Sequence, residues 1–357
     1  MPDDDSPPTQ PPRWGVVATV DEPAALLAAW VAHHLAIGAS ELHLFLDRPN
    51  PEVELLLTGI PKVILHRSGE DGWKDRGGKR PDRHQARQSY NATRILGETT
   101  LDWLIHCDAD EFLRLDASFE DELARVPEGI EWLLLTVEER VWTGGDIGAD
   151  IFAGAFRLPL SDFGLIGPAL YGAERAERLN SGLSGHDVGK ACVRAGRGYV
   201  LNIHRPASSR KATGCDLRSR RSEAVRLLHF NGMTRLQYIM KMLRRGLVVL
   251  DGLSSPSSKA RKLQFGHAIA NARDPEAMTT LWRDMQAVSA EELLMLEELG
   301  GITYAGTSIQ AETQALFGDR VDLSPAAFDR ALVAHEADAL ALLDQRIGFD
   351  PRPLMAR

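Results

Sequence analysis

Two aspartates, Asp108 and Asp110, stand one residue apart directly after an apolar run and are followed by Glu111 and Phe112. The run at residues 103–107 predicts a buried strand. The two aspartates then follow the strand at its carboxyl end, where ligands of α/β proteins bind. Carboxylates this close are costly to bury without compensation, and a hard cation is their natural partner. Mg²⁺ and Mn²⁺ commonly bridge one or two carboxylates to a substrate phosphate. The pattern therefore predicts a divalent-metal site that neutralises a diphosphate leaving group.

A second candidate metal ligand is His229, which follows the apolar pair Leu227 and Leu228. Imidazole nitrogen is a common ligand of transition metals. A lone histidine is, however, more often a structural residue. Its candidacy depends on the family resemblance described below.

The segments around these residues alternate between strand and helix patterns. Asp21 and Pro23 are typical of a helix start, and Gly38 of a helix end. The predicted strands are residues 14–20, 41–47, 62–65, 103–107 and 131–137, and the predicted helices between them are residues 23–37, 51–57 and 83–96. Strand and helix in alternation predict an α/β fold with a largely parallel sheet covered by helices.

The remaining segments suggest a three-part organisation. Residues 1–13, MPDDDSPPTQPPR, are acidic and proline-rich and lack the basic and apolar regions of a secretory signal, so they predict a disordered leader. Residues 14–250 form the predicted catalytic domain, within which residues 143–225 look irregular. Residues 251–357 predict a mostly helical C-terminal extension behind a Ser/Pro linker. No apolar run approaches the roughly 18 residues that span a bilayer.

The charge of the chain is uneven. The net charge is −9, yet residues 186–246 contain 14 Lys and Arg against three acids. A basic segment in an acidic protein indicates a bound anion. Nucleic acid is not expected, because no aromatic interleaving or recognised nucleic-acid motif accompanies the charge. Three cysteines without metal-ligand spacing fit a reducing cytoplasm, which is the predicted location.

Several motifs, taken in order, resemble those of family 2 and family 92-like glycosyltransferases, the Glyco_tranf_2_4-like group. The motifs are VDEPAALLAAWVAHHLAIGA, LHLFLD, DWLIHCDADEFL, GHDVGK, HRP and LLHFNGMTRLQYIMK. They cover residues 14–246. Asp21 stands where the group usually has Asn.

This resemblance implies a GT-A fold, which is a Rossmann-like nucleotide-sugar-binding sandwich, and an inverting transfer from a nucleotide sugar, often a uridine diphosphate sugar. It implies Mn²⁺ or Mg²⁺ as the cofactor and a glycan or lipid-linked acceptor, as in polysaccharide biosynthesis, and it allows peripheral association with a membrane. The site residues it implies are Asp108 and Asp110 for the metal and diphosphate, His229 to complete the metal shell, Glu22 and Asp47 facing the nucleoside, and Lys190 paired with the diphosphate.

An inverting transfer needs a general base for the acceptor hydroxyl. Asp187, in the GHDVGK segment, is the first candidate, and Glu111 and Asp146 are the others. His186 is an alternative base or a group that positions the phosphate or sugar.

Three other functions compete. A haloacid-dehalogenase-type phosphohydrolase would carry its Asp pair on the first strand, with Thr or Val in the place of Phe112. A nucleotidyltransferase would have a Gly-rich, basic loop after the first strand, and this chain has VDEPAALL. A non-catalytic carbohydrate-binding protein would keep the fold and need no base. A dinucleotide-binding oxidoreductase is disfavoured, because no GxGxxG follows the first strand.

Overall fold

The computed structural model describes residues 10–67, 73, 77–144, 146–209, 217–253, 257–304 and 306–356. The first nine residues of the predicted disordered leader and Cys215 lie outside the described residues. The chain forms two compact units, one of Met1–Thr136 with Val188–Leu227 and one of Val137–Asp187 with Leu228–Arg357. These units are discontinuous in sequence, and the predicted domain boundary after residue 250 stays a prediction.

The elements follow one another along the chain in an α/β order. The first half contains β1 (Trp14–Val20), α1 (Ala24–Ala36), β2 (Glu41–Leu46), α2 (Pro51–Leu57), β3 (Val63–His66), α3 (His84–Glu98), β4 (Trp103–His106), β5 (Glu111–Leu115), α4 (Phe119–Ala124), β6 (Trp132–Thr143), β7 (Ala155–Arg157), α5 (Phe163–Tyr171) and α6 (Ala173–Ala176). The second half contains β8 (Lys190–Arg194), β9 (Val200–Leu201), β10 (Pro206–Ala207), β11 (Ser219–His229), α7 (Arg235–Leu250), α8 (Lys259–Ala270), α9 (Pro275–Gln286), β12 (Ala287–Val288), α10 (Ala290–Glu298), β13 (Ile302–Thr303), α11 (Ile309–Phe317), α12 (Pro325–His335) and α13 (Ala337–Ile347).

The first unit is built on a sheet whose strands β3, β2, β1 and β4 are parallel neighbours. Strand β8 continues the sheet antiparallel to β4 and to the start of β6. All seven residues of β1 are buried, as expected for a parallel strand with helices on both faces. The α/β class predicted from the sequence is confirmed. Because β2, β1 and β4 run in the same direction, the residues that follow them meet at one edge of the sheet.

The second unit combines a few strands with helices. The end of β6 pairs with β7 and β12, and β13 pairs with β7. Helices α7 to α13 occupy most of the C-terminal part of the unit, from Arg235 to Ile347. The mostly helical character predicted for the C-terminal part is confirmed. No helix among the described residues is long and apolar enough to cross a membrane.

The irregular structure predicted for residues 143–225 is wrong, because β7, β8 and most of β11 lie there. In β11 the inward positions include Ser222 and Ala224, which are buried, while Arg221 and Glu223 point to solvent. Small inward side chains give a weak apolar alternation. The strand is therefore hard to recognise from its sequence.

Candidate active site

The candidate site lies at the carboxyl edge of the parallel strands in the first unit. Asp21 and Glu22 follow β1, Asp47 follows β2, and Asp108 and Asp110 follow β4. Strands β1 and β4 are paired in parallel, with Val16 opposite Ile105. The fold therefore brings carboxylates from three strand ends to a single edge, which is where α/β sheets bind ligands.

Asp108 is held by a buried lysine that the sequence places 82 residues away. The Lys190 Nζ donates to Asp108 Oδ2 at 2.8 Å and lies 3.1 Å from Glu111 Oε2. Lys190 and Glu111 are fully buried, whereas the Asp108 side chain is 29% exposed. Burial alone would lower the pKa of Lys190, but the charges of Asp108 and Glu111 raise it above its usual value. Lys190 is therefore a fixed cation.

Two further bonds fix the turn between β4 and β5. Glu111 Oε2 accepts the backbone N–H of Asp108 at 2.8 Å. Gln88, on α3, donates from Nε2 to Asp108 Oδ1. Glu111 is thus a buried, ion-paired support of the turn. That environment suits a positioning role better than the predicted role of general base, for which the residue would need access to the acceptor.

Asp110 and Glu22 form a repulsive pair at the same edge. Burial raises the pKa of Glu22 to about 7, and the negative charge of Asp110 adds to this rise. The Glu22 carboxylate also accepts the backbone N–H of Asp21 at 2.7 Å. A carboxylate whose pKa is raised by burial and by a neighbouring acid belongs to a donor set to which a hard divalent cation is suited. Glu22, Asp108 and Asp110 all follow parallel strands at this edge of the sheet, where such a cation would bind.

Asp47 lies in a different environment from the other acids. Its carboxylate accepts two bonds from Arg87, at 2.6 and 2.5 Å, and further bonds from Arg80 at 2.8 Å and His84 at 3.2 Å. Burial by itself would raise the pKa of Asp47, but the bonds from His84 and Arg87 lower it well below its usual value. This network ties β2 to α3 and the segment before it. The predicted contact of Asp47 with a nucleoside stays a prediction.

The Asp47 network predicts a specific acid sensitivity. Because its pKa is depressed in the folded state, Asp47 contributes stability that is present above its unfolded pKa of about 3.9 and is lost as the pH falls. We expect Asp47→Asn to lower the free energy of unfolding at pH 7 by about 2–4 kcal/mol. The deficit should shrink towards pH 3. Urea unfolding at pH 7, 5 and 3 measures the loss of unfolding free energy and its dependence on pH. The exposed Asp344→Asn is the control and should match wild type. An equal deficit at every pH would contradict this account.

In the second unit, buried Glu139 organises the segment that carries His186 and Asp187. Its carboxylate accepts the N–H groups of Ser184 at 2.7 Å and Gly185 at 2.6 Å. Arg157 donates to the same carboxylate at 2.9 Å. A Cβ on Gly185 would lie 2.7 Å from Glu139 Oε2, so this position needs glycine. The loop is therefore rigidly attached to β6.

The predicted metal ligand His229 lies beside this loop. Its Nδ1 is 3.8 Å from Glu139 Oε2, and its ring stacks on that of His186 with centroids 4.8 Å apart. His229 is buried and His186 half-buried.

The predicted base Asp187 is exposed, and one of its oxygens accepts a hydrogen bond from Ser181 Oγ at 2.7 Å. The roles of His229 as a ligand and Asp187 as a base stay predictions. Asp146, the third candidate base, is exposed and bonds to the N–H of Ile147.

Many cations of the basic segment are used inside the protein. Besides Lys190, Arg194 donates to the carbonyl of Ile130 at 2.9 Å and lies over the ring of Trp103 at 4.4 Å. Further ion pairs from this segment are Arg197 with Glu128 and Glu131, Arg220 with Glu122, Arg226 with Asp116 and Arg244 with Glu336. Much of the excess positive charge of this segment is therefore bonded to other residues of the protein.

Sequence reasoning missed Gln88, Arg87 and Glu139. The first two lie on α3 among residues that helical periodicity assigns to packing. Glu139 lies in β6 between Glu138 and Arg140, and charged residues inside a buried strand are the one available signal. The ring of Trp73 packs on that of Tyr90 with centroids 4.9 Å apart.

Comparisons with known proteins give low similarity. No family model and no curated protein matches the chain. Among solved structures it is similar to HddC from Yersinia pseudotuberculosis, at 12% identity over 42% of this chain and 64% of that one, with a TM-score of 0.25. It is also similar to WbbM, a bifunctional glycosyltransferase, at 16% identity over 36% and 24%, with a TM-score of 0.23. A third is residues 1–349 of TarS from S. aureus, at 12% identity over 93% and 90%, with a TM-score of 0.32.

The chain thus spans less than two thirds of HddC and about a quarter of WbbM. These similarities are too low to assign an activity to this chain.

Proposed function

We propose that this protein is a metal-dependent glycosyltransferase of the GT-A type, which transfers a sugar from a nucleotide sugar to a hydroxyl acceptor with inversion. A uridine diphosphate sugar is the proposed donor, and a glycan or lipid-linked hydroxyl is the proposed acceptor. The observation that carries the proposal is the Asp108–Asp110 pair at the carboxyl edge of the sheet, in which buried Lys190 fixes Asp108. That arrangement suits a site that receives a charged diphosphate.

In this proposal the acidic residues have different roles in donor binding. Asp108 and Asp110 hold the cation, with Glu22 as the neighbouring carboxylate. Mn²⁺ or Mg²⁺ would supply positive charge against the leaving diphosphate. Lys190 and Glu111 keep Asp108 in position, because both are buried and paired. A preorganised site of this kind needs little rearrangement when charge develops in the transition state.

Asp187 is the proposed general base. It is exposed, and Ser181 binds only one of its oxygens, so the other can accept the proton of an acceptor hydroxyl. We expect Asp187→Asn to reduce the rate of sugar transfer about a hundredfold, while the affinity for the nucleotide is unchanged. Initial rates together with nucleotide titration measure the two quantities. Asp344→Asn serves as the matched control on an exposed aspartate. Full activity of Asp187→Asn would assign the base elsewhere.

The activity is tested by incubating the purified chain with a panel of nucleotide sugars and Mn²⁺, and measuring release of the nucleoside diphosphate. A transferase hydrolyses its own donor slowly even without acceptor. Release from one donor, abolished by chelation, is the expected result. Release of inorganic phosphate instead would favour the phosphohydrolase alternative. Tight binding of a sugar without any turnover would favour a carbohydrate-binding protein.

A further inference from the structure

The end of α7 exposes a run of large aliphatic side chains. Val249 is 43% exposed, Leu250 58% and Leu253 62%. Val248 and, on α8, Leu263 are each 37% exposed. We call these five residues the apolar tip. Single exposed aliphatic residues are ordinary, but several exposed at the end of one helix pair are typical of an interaction surface.

The apolar tip is the end of a tightly packed helix pair. A Cβ on Gly246 of α7 would lie 3.2 Å from the carbonyl oxygen of Phe265 on α8, so the two helices are in close contact. The inner residues Met242, Leu243 and Leu247 are buried. The core of the unit is therefore already filled behind the tip. Its aliphatic side chains project outward from a rigid support.

The stretch of chain that carries the apolar tip is basic. Between residues 241 and 263 the chain has six basic residues, Lys241, Arg244, Arg245, Lys259, Arg261 and Lys262, and a single acid, Asp251. Arg245, Lys259 and Lys262 are exposed. Asp251 is paired with Arg346 at 2.6 Å, and Arg244 is paired with Glu336 at 3.1 Å. The net charge here is opposite in sign to that of the whole chain, which is −9.

We propose that the apolar tip docks on the surface of an anionic phospholipid bilayer. Aliphatic side chains enter the boundary between headgroups and acyl chains, and flanking Lys and Arg bind the anionic headgroups. Self-association through this surface is disfavoured, because it would bring two basic regions together and their charges would repel. Nucleic acid is the weaker occupant because the tip offers no aromatic ring for base stacking. The surface holds the protein peripherally, in agreement with the lack of a spanning helix among the described residues.

The test is flotation of the full chain with vesicles of phosphatidylcholine alone or with roughly one third phosphatidylglycerol, a fraction chosen to give the negative surface that attracts basic segments. We expect binding to the anionic vesicles only, weakened by high salt because surface attraction is screened. Leu250→Ser/Leu253→Ser should weaken it by at least about tenfold. Arg245→Glu/Lys262→Glu should weaken it by a similar factor. Leu165→Ser, an 83% exposed leucine of α5, is the matched control and should bind as wild type does.

Three results would overturn the proposal. They are absence of binding to both vesicle types, equal binding to both, and unchanged binding of the two double variants. A dimer in gel filtration that the leucine variant converts to monomer, without vesicle binding by wild type, would instead assign the tip to self-association.

A second readout does not depend on removing side chains. Leu253→Trp should show fluorescence quenching by brominated lipids in anionic vesicles, and Leu165→Trp should not. Equal quenching of both, or of neither, would also overturn the proposal.

Discussion

Replacing Asp110 with asparagine is expected to reduce metal-dependent sugar transfer by on the order of a thousandfold. The substitution keeps the size of the side chain and removes one charge from the set that would hold the cation. The loss of a metal that neutralises a leaving diphosphate is worth several kcal/mol in the transition state. Initial rates with the donor found in the turnover panel, at several Mn²⁺ concentrations, measure the effect.

The control for this prediction is Asp344→Asn, which changes an exposed aspartate of α13 in the same way. We expect it to retain wild-type rates at every Mn²⁺ concentration. We also expect Asp110→Asn to remain folded, because Asp110 is only half-buried. A folded Asp110→Asn protein with wild-type activity would show that this carboxylate is not part of the donor site.

The second large effect concerns stability. Lys190→Met is expected to lower the free energy of unfolding by about 3–5 kcal/mol, because it leaves the fully buried Glu111 without its counter-ion. The double variant Lys190→Met/Glu111→Gln removes both buried charges, and we expect it to regain at least half of the loss. Urea unfolding at pH 7 measures each variant. Equal stability of wild type and Lys190→Met would contradict the ion-pair account.

The pH dependence follows from the direction of the shift. The pKa of Lys190 is raised in the folded state, so its contribution is complete below the unfolded pKa of about 10.4 and declines only above it. Between pH 6 and pH 9 the difference between wild type and Lys190→Met should therefore be constant. This separates the Lys190 pair from the Asp47 network, whose contribution is lost in acid.

The first half of the fold could be predicted because its elements have strong local patterns. The apolar run of β1, and the Asn50 and Pro51 that begin α2, specify those elements without reference to distant residues. The position of Asp108 and Asp110 at a strand end follows from the same logic, since it needs only the apolar run before them.

What could not be predicted depends on contacts between distant residues. Lys190 belongs to a polar, glycine-rich stretch of sequence, and its role appears only when β8 pairs with β4 and brings it to Asp108. The support of the loop at Ser184 by Glu139 likewise spans 45 residues. In both cases a buried charge is stabilised by a partner that no local periodicity indicates. Such pairs become visible only in the folded chain.

The most direct test of the central claim is thermal unfolding with a panel of nucleoside diphosphates, with and without Mn²⁺, for wild type and Asp110→Ala. A ligand that binds only the folded state at a hundredfold excess over its Kd adds about 2.7 kcal/mol of stability. We predict stabilisation by one nucleoside diphosphate, dependent on Mn²⁺ and absent in the variant. Absence of stabilisation by every nucleotide, or equal stabilisation of the variant, would contradict a metal-dependent donor site at Asp108 and Asp110.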